Sequence, residues 1–132
     1  MNRGEMEEWI AGTYGTDGDH PWAKYPEYTV FRHRSSRKWF ALVLTIPRGK
    51  LGLAGGGTVE IVNVKCDPIM TGSLRMTPGI YPAYHMNKDS WVTIALDGSV
   101  EDETIKMLLD MSFELTAPKA KKLRARPEAA AE

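Results

Sequence analysis

The run YTVFRHRSSRKWFALVLTIP, residues 28–47, restricts the possible folds more than any other part of the chain. Its two ends, residues 28–33 and 39–46, are β-branched and aromatic, the composition of strands. Between them Arg34, Ser35, Ser36 and Arg37 form a short polar connection. Such a connection reverses the chain but is too short for a parallel crossover. The two strands therefore pair as an antiparallel hairpin, and Pro47 ends the second because proline offers no N–H to a ladder.

The rest of the chain is read around this hairpin. In GEMEEWIAGTYG, Met6, Trp9 and Ile10 recur at helical spacing, which predicts a short amphipathic helix closed by Gly12 or Gly15. TDGDHPWAKYP is a loop. RGKLGLAGGG has the glycine content of a phosphate cradle, but a cradle delivers N–H groups from the helix after it. The next segment, TVEIVNVKC, is a strand by composition, so the glycines are read as a hairpin turn. Asp67 and Pro68 open a short helix that places Ile69, Ser73 and Met76 on one face. TPGIYPAY is a turn-rich connection, and SWVTIALDG is a strand closed by Asp97 and Gly98. Ser99 with Asp102 has the spacing of a capping box. Ile105, Leu108, Leu109 and Phe113 then form the apolar stripe of a last helix, stopped by Pro118.

This order predicts an α+β domain over residues 1–116, an antiparallel sheet with the helices packed on one face. At 132 residues the chain is long enough for one core. The basic segment 117–132 is too poor in apolar residues to fold and reads as a disordered tail.

The chain's formal net charge of +0 gives no global attraction to nucleic acid or membrane, yet the charges are segregated. Residues 32–50 hold six basic side chains (Arg32, Arg34, Arg37, Lys38, Arg48, Lys50) and no acidic one. Residues 101–114 hold five acidic residues and one lysine, read as a solvated helix face. The longest apolar run, residues 39–44, is too short to span a bilayer. Glu5, Glu7 and Glu8 stand where a secretory signal would be basic and then apolar, so none is expected. The single cysteine, Cys66, excludes an intrachain disulfide, fits a cytoplasmic location and reads as a small buried residue.

The segments YPEYTVFRHRSSRKWFALVLTIPRGKLGL, VKCDP, GSLR, GIYPAYHMNKDSW and LLDMSFELT resemble the MmcQ/YjbR family, from the first helix to Thr116. The resemblance implies a CyaY-like fold with protruding β-hairpins, and DNA binding through two such hairpins acting as wings. The basic residues suited to phosphates are Arg32, Arg34, Arg37, Lys38, Arg48 and Lys50, joined by Lys65 and Lys88 if the fold brings them near. The competing reading is that these cations solvate an exposed edge and discourage aggregation. Asp89, beside Lys88, subtracts positive charge there.

The 84–91 stretch, YHMNKDSW, suggests a second kind of site. Arg75, Tyr84, His85, Asn87, Lys88 and Trp91 are candidates for a ligand pocket, and Trp22, Tyr25 and Tyr81 are further aromatic walls. The same residues also suit a structural corner in which Asn87 fixes a turn. No nucleophile–base signature occurs, so no enzyme activity and no cofactor are expected. No Cys/His pair has zinc-ligand spacing, and the acidic residues of the first helix are too few for the iron ridge a frataxin-like fold would carry, so no metal is expected.

Overall fold

A computed structural model describes residues 1–118; the expectation for the basic tail falls, from residue 119 on, outside the described residues. Three helices, α1 (Arg3–Tyr14), α2 (Pro68–Leu74) and α3 (Asp102–Thr116), accompany strands β1 (Thr29–Arg32), β2 (Trp39–Pro47), β3 (Thr58–Lys65), β4 (Ile80–Pro82) and β5 (Trp91–Ala95). The strands form one antiparallel sheet in the order β1-β2-β3-β5-β4. This is the α+β architecture expected, with the β1–β2 hairpin at one side.

Side-chain alternation divides the sheet into two apolar faces. Val43, Val62, Val64, Val92 and Ile94 meet Met6 and Ile10 of α1, Leu74 of α2, and Ile105, Leu108 and Leu109 of α3. Each such side chain, fully buried, contributes roughly 1.5–3 kcal/mol. Leu42, Leu44, Ile46, Val59, Ile61 and Ala95 point the other way, and no residue of the three α-helices joins their cluster. A bulge sharpens the division: Phe31 pairs with Ala41 but Arg32 with Trp39, so Phe40 is the extra residue. Phe40 and Ala41 both join the helix side, while Trp39 goes to the helix-free side.

The helices are held by specific contacts. Asn2 and Glu5 form a reciprocal capping box on α1, and Gly15, at φ 64°, closes it. Arg3 then fastens α1 to the sheet, with Nε 3.1 Å from Glu7 and Nη1 2.7 Å from Glu60. Burial would lower the Arg3 pKa, but the bonds to Glu60 and Glu7 outweigh it and hold the value above the ordinary one. In α2 the Asp67 side chain accepts from the Ile69 N–H at 3.0 Å.

Three local expectations are corrected. The Ser99–Asp102 capping box does not form, because α3 takes its N-cap two residues beyond Ser99, whose hydroxyl and N–H instead donate to Asp97 Oδ1 (2.5 and 3.1 Å). α3 starts instead from Glu101 with no side-chain cap. The face of α2 formed by Ile69, Ser73 and Met76 does not pack: Ile69 is 90% and Met76 83% exposed, while Thr71 and Leu74 turn inward. Thr71 is drawn in by donating its hydroxyl to the Asp89 carbonyl at 2.8 Å. Finally, the 77–84 connection carries an edge strand, β4, whose Tyr81 pairs with Thr93.

Candidate functional site

Loops rather than helices cover the second face of the sheet, and they leave it partly open. A groove of about 310 Å³ is lined by Trp22, Tyr25, Tyr28, Trp39, Leu42, Leu44, His85 and Met86. Its floor is the outward row of β2. Its aromatic wall comes from residues 22–28, folded by two successive turns in which Tyr25 N–H donates to Trp22 O and Tyr28 N–H to Tyr25 O, both at 3.0 Å. An isolated bridge between Asp19 and Val30 lays this segment along β1. Trp22 stands edge-on to Trp39 (5.6 Å) and Tyr28 (6.0 Å), and Tyr25 stacks on Tyr28 (4.8 Å). The Tyr28 pKa is raised, by burial first and then by Tyr84, Tyr25 and Glu27.

A second groove, of about 350 Å³, lies beside the first and is lined by Lys50, Leu51, Tyr81, Pro82, Ala83, Tyr84, His85 and Lys88. His85 lines both grooves and forms the ridge between them. Its backbone sits in the left-handed region at φ 60°, which costs a non-glycine residue about 1–2 kcal/mol. The neighbouring bonds hold it there. Tyr84 N–H donates to Thr93 Oγ1 (2.9 Å), Thr93 Oγ1 donates to Asn63 Oδ1 (2.5 Å), and Asn63 Nδ2 donates back to Tyr84 O (2.8 Å). This closed ring ties the loop to β3 and β5. On the far side Lys88 Nζ donates to Ala83 O at 2.9 Å, and the Tyr84 and His85 rings lie 3.9 Å apart.

YHMNKDSW is thus a stitched corner that also builds a binding surface. Asn87 acts within the turn: its side chain accepts from Asp89 N–H (2.8 Å) and its carbonyl from Trp91 N–H (3.0 Å). Trp91 opens β5 opposite Lys65 and lines neither groove. Arg75 ends α2, donates to the Lys88 carbonyl and lines neither groove; its Nε is buried without a hydrogen-bond partner among the described residues. Of the six residues proposed for a pocket, Tyr84, His85 and Lys88 come together, and Arg75, Asn87 and Trp91 support them from behind.

The basic residues of 32–50 do not form one patch. The β1–β2 connection leaves one end of β2 and the Arg48–Leu51 turn leaves the other, about 26 Å away along a nine-residue strand. Arg32, Arg34, Arg37 and Lys38 are at the first end, where Lys65 also finishes β3. Asp19 takes both Arg32 (3.1 Å) and Arg37 (3.7 Å), and Arg32 also lies 5.7 Å over Trp39. Arg34 and Lys38 are exposed and in no ion pair among the described residues. At the other end Arg48 donates to the Ala54 carbonyl, and Lys50 is exposed at the rim of the second groove.

The other titratable candidates are occupied. His33 is buried, with Nε2 2.9 Å from Thr116 Oγ1; His20 Nδ1 lies 3.2 Å from the Tyr28 carbonyl. Cys66 is buried against Thr71. Among the described residues no group of three His, Cys, Asp or Glu side chains is placed to hold a metal, and no helix is long and apolar enough to cross a membrane.

Sequence reasoning missed Tyr28, Trp39, Leu42, Leu44, Leu51, Pro82 and Ala83 as lining residues. The signal was present in β2 itself. An antiparallel strand with one solvated face alternates, whereas residues 39–44 are apolar throughout, so both faces needed cover.

Comparisons with known proteins match this geometry to a group. A family model described as YjbR matches residues 11–115. The "Uncharacterized protein YyaQ" of Bacillus subtilis (strain 168) is 39% identical over 116 residues, 88% of this chain and 98% of that protein. A crystal structure of a Pseudomonas syringae protein superimposes with a TM-score of 0.87 at 45% identity, covering 89% of this chain and 100% of the other. The crystal structure of Deinococcus radiodurans protein DR2400 superimposes with a TM-score of 0.61 at 25% identity, covering 86% and 79%.

Proposed function

The chain belongs to the YjbR family, and on that premise we propose that it is a non-enzymatic binding protein whose helix-free sheet face takes a small ligand with a planar aromatic or apolar group. One observation carries this reading: Trp22, Tyr25, Tyr28 and Trp39 surround an aliphatic floor, and the trough is left open where a helix would ordinarily close it. Grooves of about this volume, mostly apolar with a few polar groups, suit small ligands. The lining argues for binding over catalysis. Among the described residues neither groove places a Ser, Thr, Cys, Asp or Glu beside His85, so a Ser–His or Cys–His pair has no members in their linings. Free, buried Cys66 supports a reducing compartment such as the cytoplasm.

The test is a ligand-observed NMR screen of planar aromatic fragments against the full chain, repeated with Trp22→Ala. Fragments that bind the parent protein and are weakened about tenfold or more by the substitution support the reading. A screen in which no fragment binds refutes it.

A second reading, nucleic-acid binding through the hairpin tip, is favoured by Arg34 and Lys38, exposed and in no ion pair among the described residues, with Lys65 at the same end of the sheet. Each phosphate contact contributes about −0.9 to the slope of log K against log salt, so these three cations give a slope of about −2 to −3. Arg34→Ala with Lys38→Ala would bring it to about −1 or less, and Arg48→Ala at the opposite end would leave it unchanged. No duplex or single-strand binding at low salt removes this reading. A CyaY-like double wing would need the two hairpins to act separately, since they leave opposite ends of β2.

A further inference from the structure

The two grooves differ in chemistry on either side of one residue. The first has aromatic and aliphatic walls with His85 at its edge, and among the described residues no Lys, Arg, Asp or Glu lines it. The second is rimmed by two lysines, Lys50 and Lys88, and no acidic residue lines it among the described residues. His85 belongs to both, and the Asn63–Tyr84–Thr93 ring holds its backbone in a conformation that residues other than glycine rarely adopt. Backbone strain retained at a concave surface marks a position fixed by its surroundings, here the shared wall of adjoining pockets.

We propose that the helix-free face binds one small molecule across the His85 ridge: a planar aromatic ring in the first groove joined to an anionic group, carboxylate or phosphate, in the second. This deepens the ligand-binding reading above and rests on it. A neutral ring alone leaves the two ammonium groups unused, and an anion alone leaves the aromatic wall open to water. Lys50 is exposed and in no ion pair or hydrogen bond among the described residues, so its charge is available to a ligand. Lys88 already donates one hydrogen to the Ala83 carbonyl, but an ammonium carries three, and two remain for an anion. A charge-assisted hydrogen bond is about twice as strong as a neutral one, which sets an expected preference of about tenfold for the charged ligand.

Two matched pairs test this on the full chain by ¹H–¹⁵N NMR titration at low salt: AMP against adenosine, and indole-3-acetate against indole-3-acetamide. The expected result is that the anionic member binds about tenfold more tightly in at least one pair. The preference should fall to less than about threefold in Lys50→Gln, with recovery in Lys50→Arg. Lys88→Gln is the second variant. It removes the other ammonium but also loosens the Ala83 contact, so its fold is checked by its amide spectrum. Equal binding of both members overturns the bipartite ligand and leaves the aromatic groove standing. A preference that survives both lysine variants overturns the assignment of the anion to the second groove. Titrations in which no member of either pair moves the Trp22 or Trp39 signals overturn the groove reading itself.

Discussion

Asn63→Ala tests whether the closed ring of three hydrogen bonds holds the His85 ridge. Asn63 and Thr93 are both fully buried. The substitution removes the acceptor of the Thr93 hydroxyl (2.5 Å) and the donor to the Tyr84 carbonyl (2.8 Å). A buried polar group left unsatisfied costs about 1–3 kcal/mol. The Thr93 hydroxyl is buried and bears that cost, while the partly buried Tyr84 carbonyl regains some hydration, so the total is about 2–4 kcal/mol. With a urea m-value of about 1–3 kcal/mol/M for a domain of this size, the unfolding midpoint should fall by roughly 1–2 M. Removing Thr93 as well, by Asn63→Ala with Thr93→Val, should cost about 1–2 kcal/mol less than the two single losses added together, because no orphaned hydroxyl remains. Hydrogen exchange gives a local readout. The Tyr84 amide should lose protection, while the Ser90 and Trp91 amides, bonded to the Asn87 carbonyl, keep theirs. A midpoint shift equivalent to less than about 1 kcal/mol, or strict additivity of the two substitutions, would refute the reasoning.

Two further perturbations probe other parts of the fold. Burial, and after it the bond to Asp110, raise the Tyr14 pKa, so the folded state keeps this phenol protonated after the unfolded chain begins to ionise near pH 10. Tyr14 therefore causes no pH dependence below about pH 9 and a loss of stability above about pH 10; Tyr14→Phe should flatten that alkaline fall in urea melts from pH 8 to 11, and an unchanged slope would contradict the assignment. Gly79 sits at φ +91° where an added Cβ would lie 2.4 Å from Ser99 Oγ and 2.5 Å from Val100 Cγ2, so Gly79→Ala should destabilise by about 2–4 kcal/mol in the same assay, through strain and overpacking together.

Much of the fold was legible because local rules and tertiary packing agree. The β1–β2 hairpin, the Asp67–Pro68 helix start and the α3 stripe form where their residue patterns place them. Failures occurred where a neighbour outcompeted a local motif. Asp97, two residues before Ser99, holds the side chain expected to cap α3, which takes its N-cap two residues further on. α2 is only seven residues long, and the Thr71 hydroxyl bonding to Asp89 set which side faced inward, leaving Ile69 in solvent. The basic residues of 32–50 divide into two groups for a geometric reason. Six cations close in sequence lie at two ends of one strand, and Asp19, from a loop distant in sequence, offsets two of them. For the candidate site, YHMNKDSW identified the ridge residue His85 and the rim residue Lys88. Trp22 and Tyr25 were legible as wall residues, but the rest of the wall stayed hidden because Tyr28, Trp39 and the β2 floor join them only when the sheet forms.

The four tryptophans offer the most direct test of the central claim, because two lie in the aromatic groove and two lie outside it. Trp22 and Trp39 line the groove, Trp9 is on α1 at the helix side, and Trp91 opens β5. Their indole N–H resonances are four separate reporters in one spectrum. Titration with the tightest-binding fragment of a planar aromatic set should shift the Trp22 and Trp39 signals in a saturable way and leave Trp9 and Trp91 in place. Saturable shifts confined to Trp9 or Trp91, or no saturable shift at any of the four, would contradict the account.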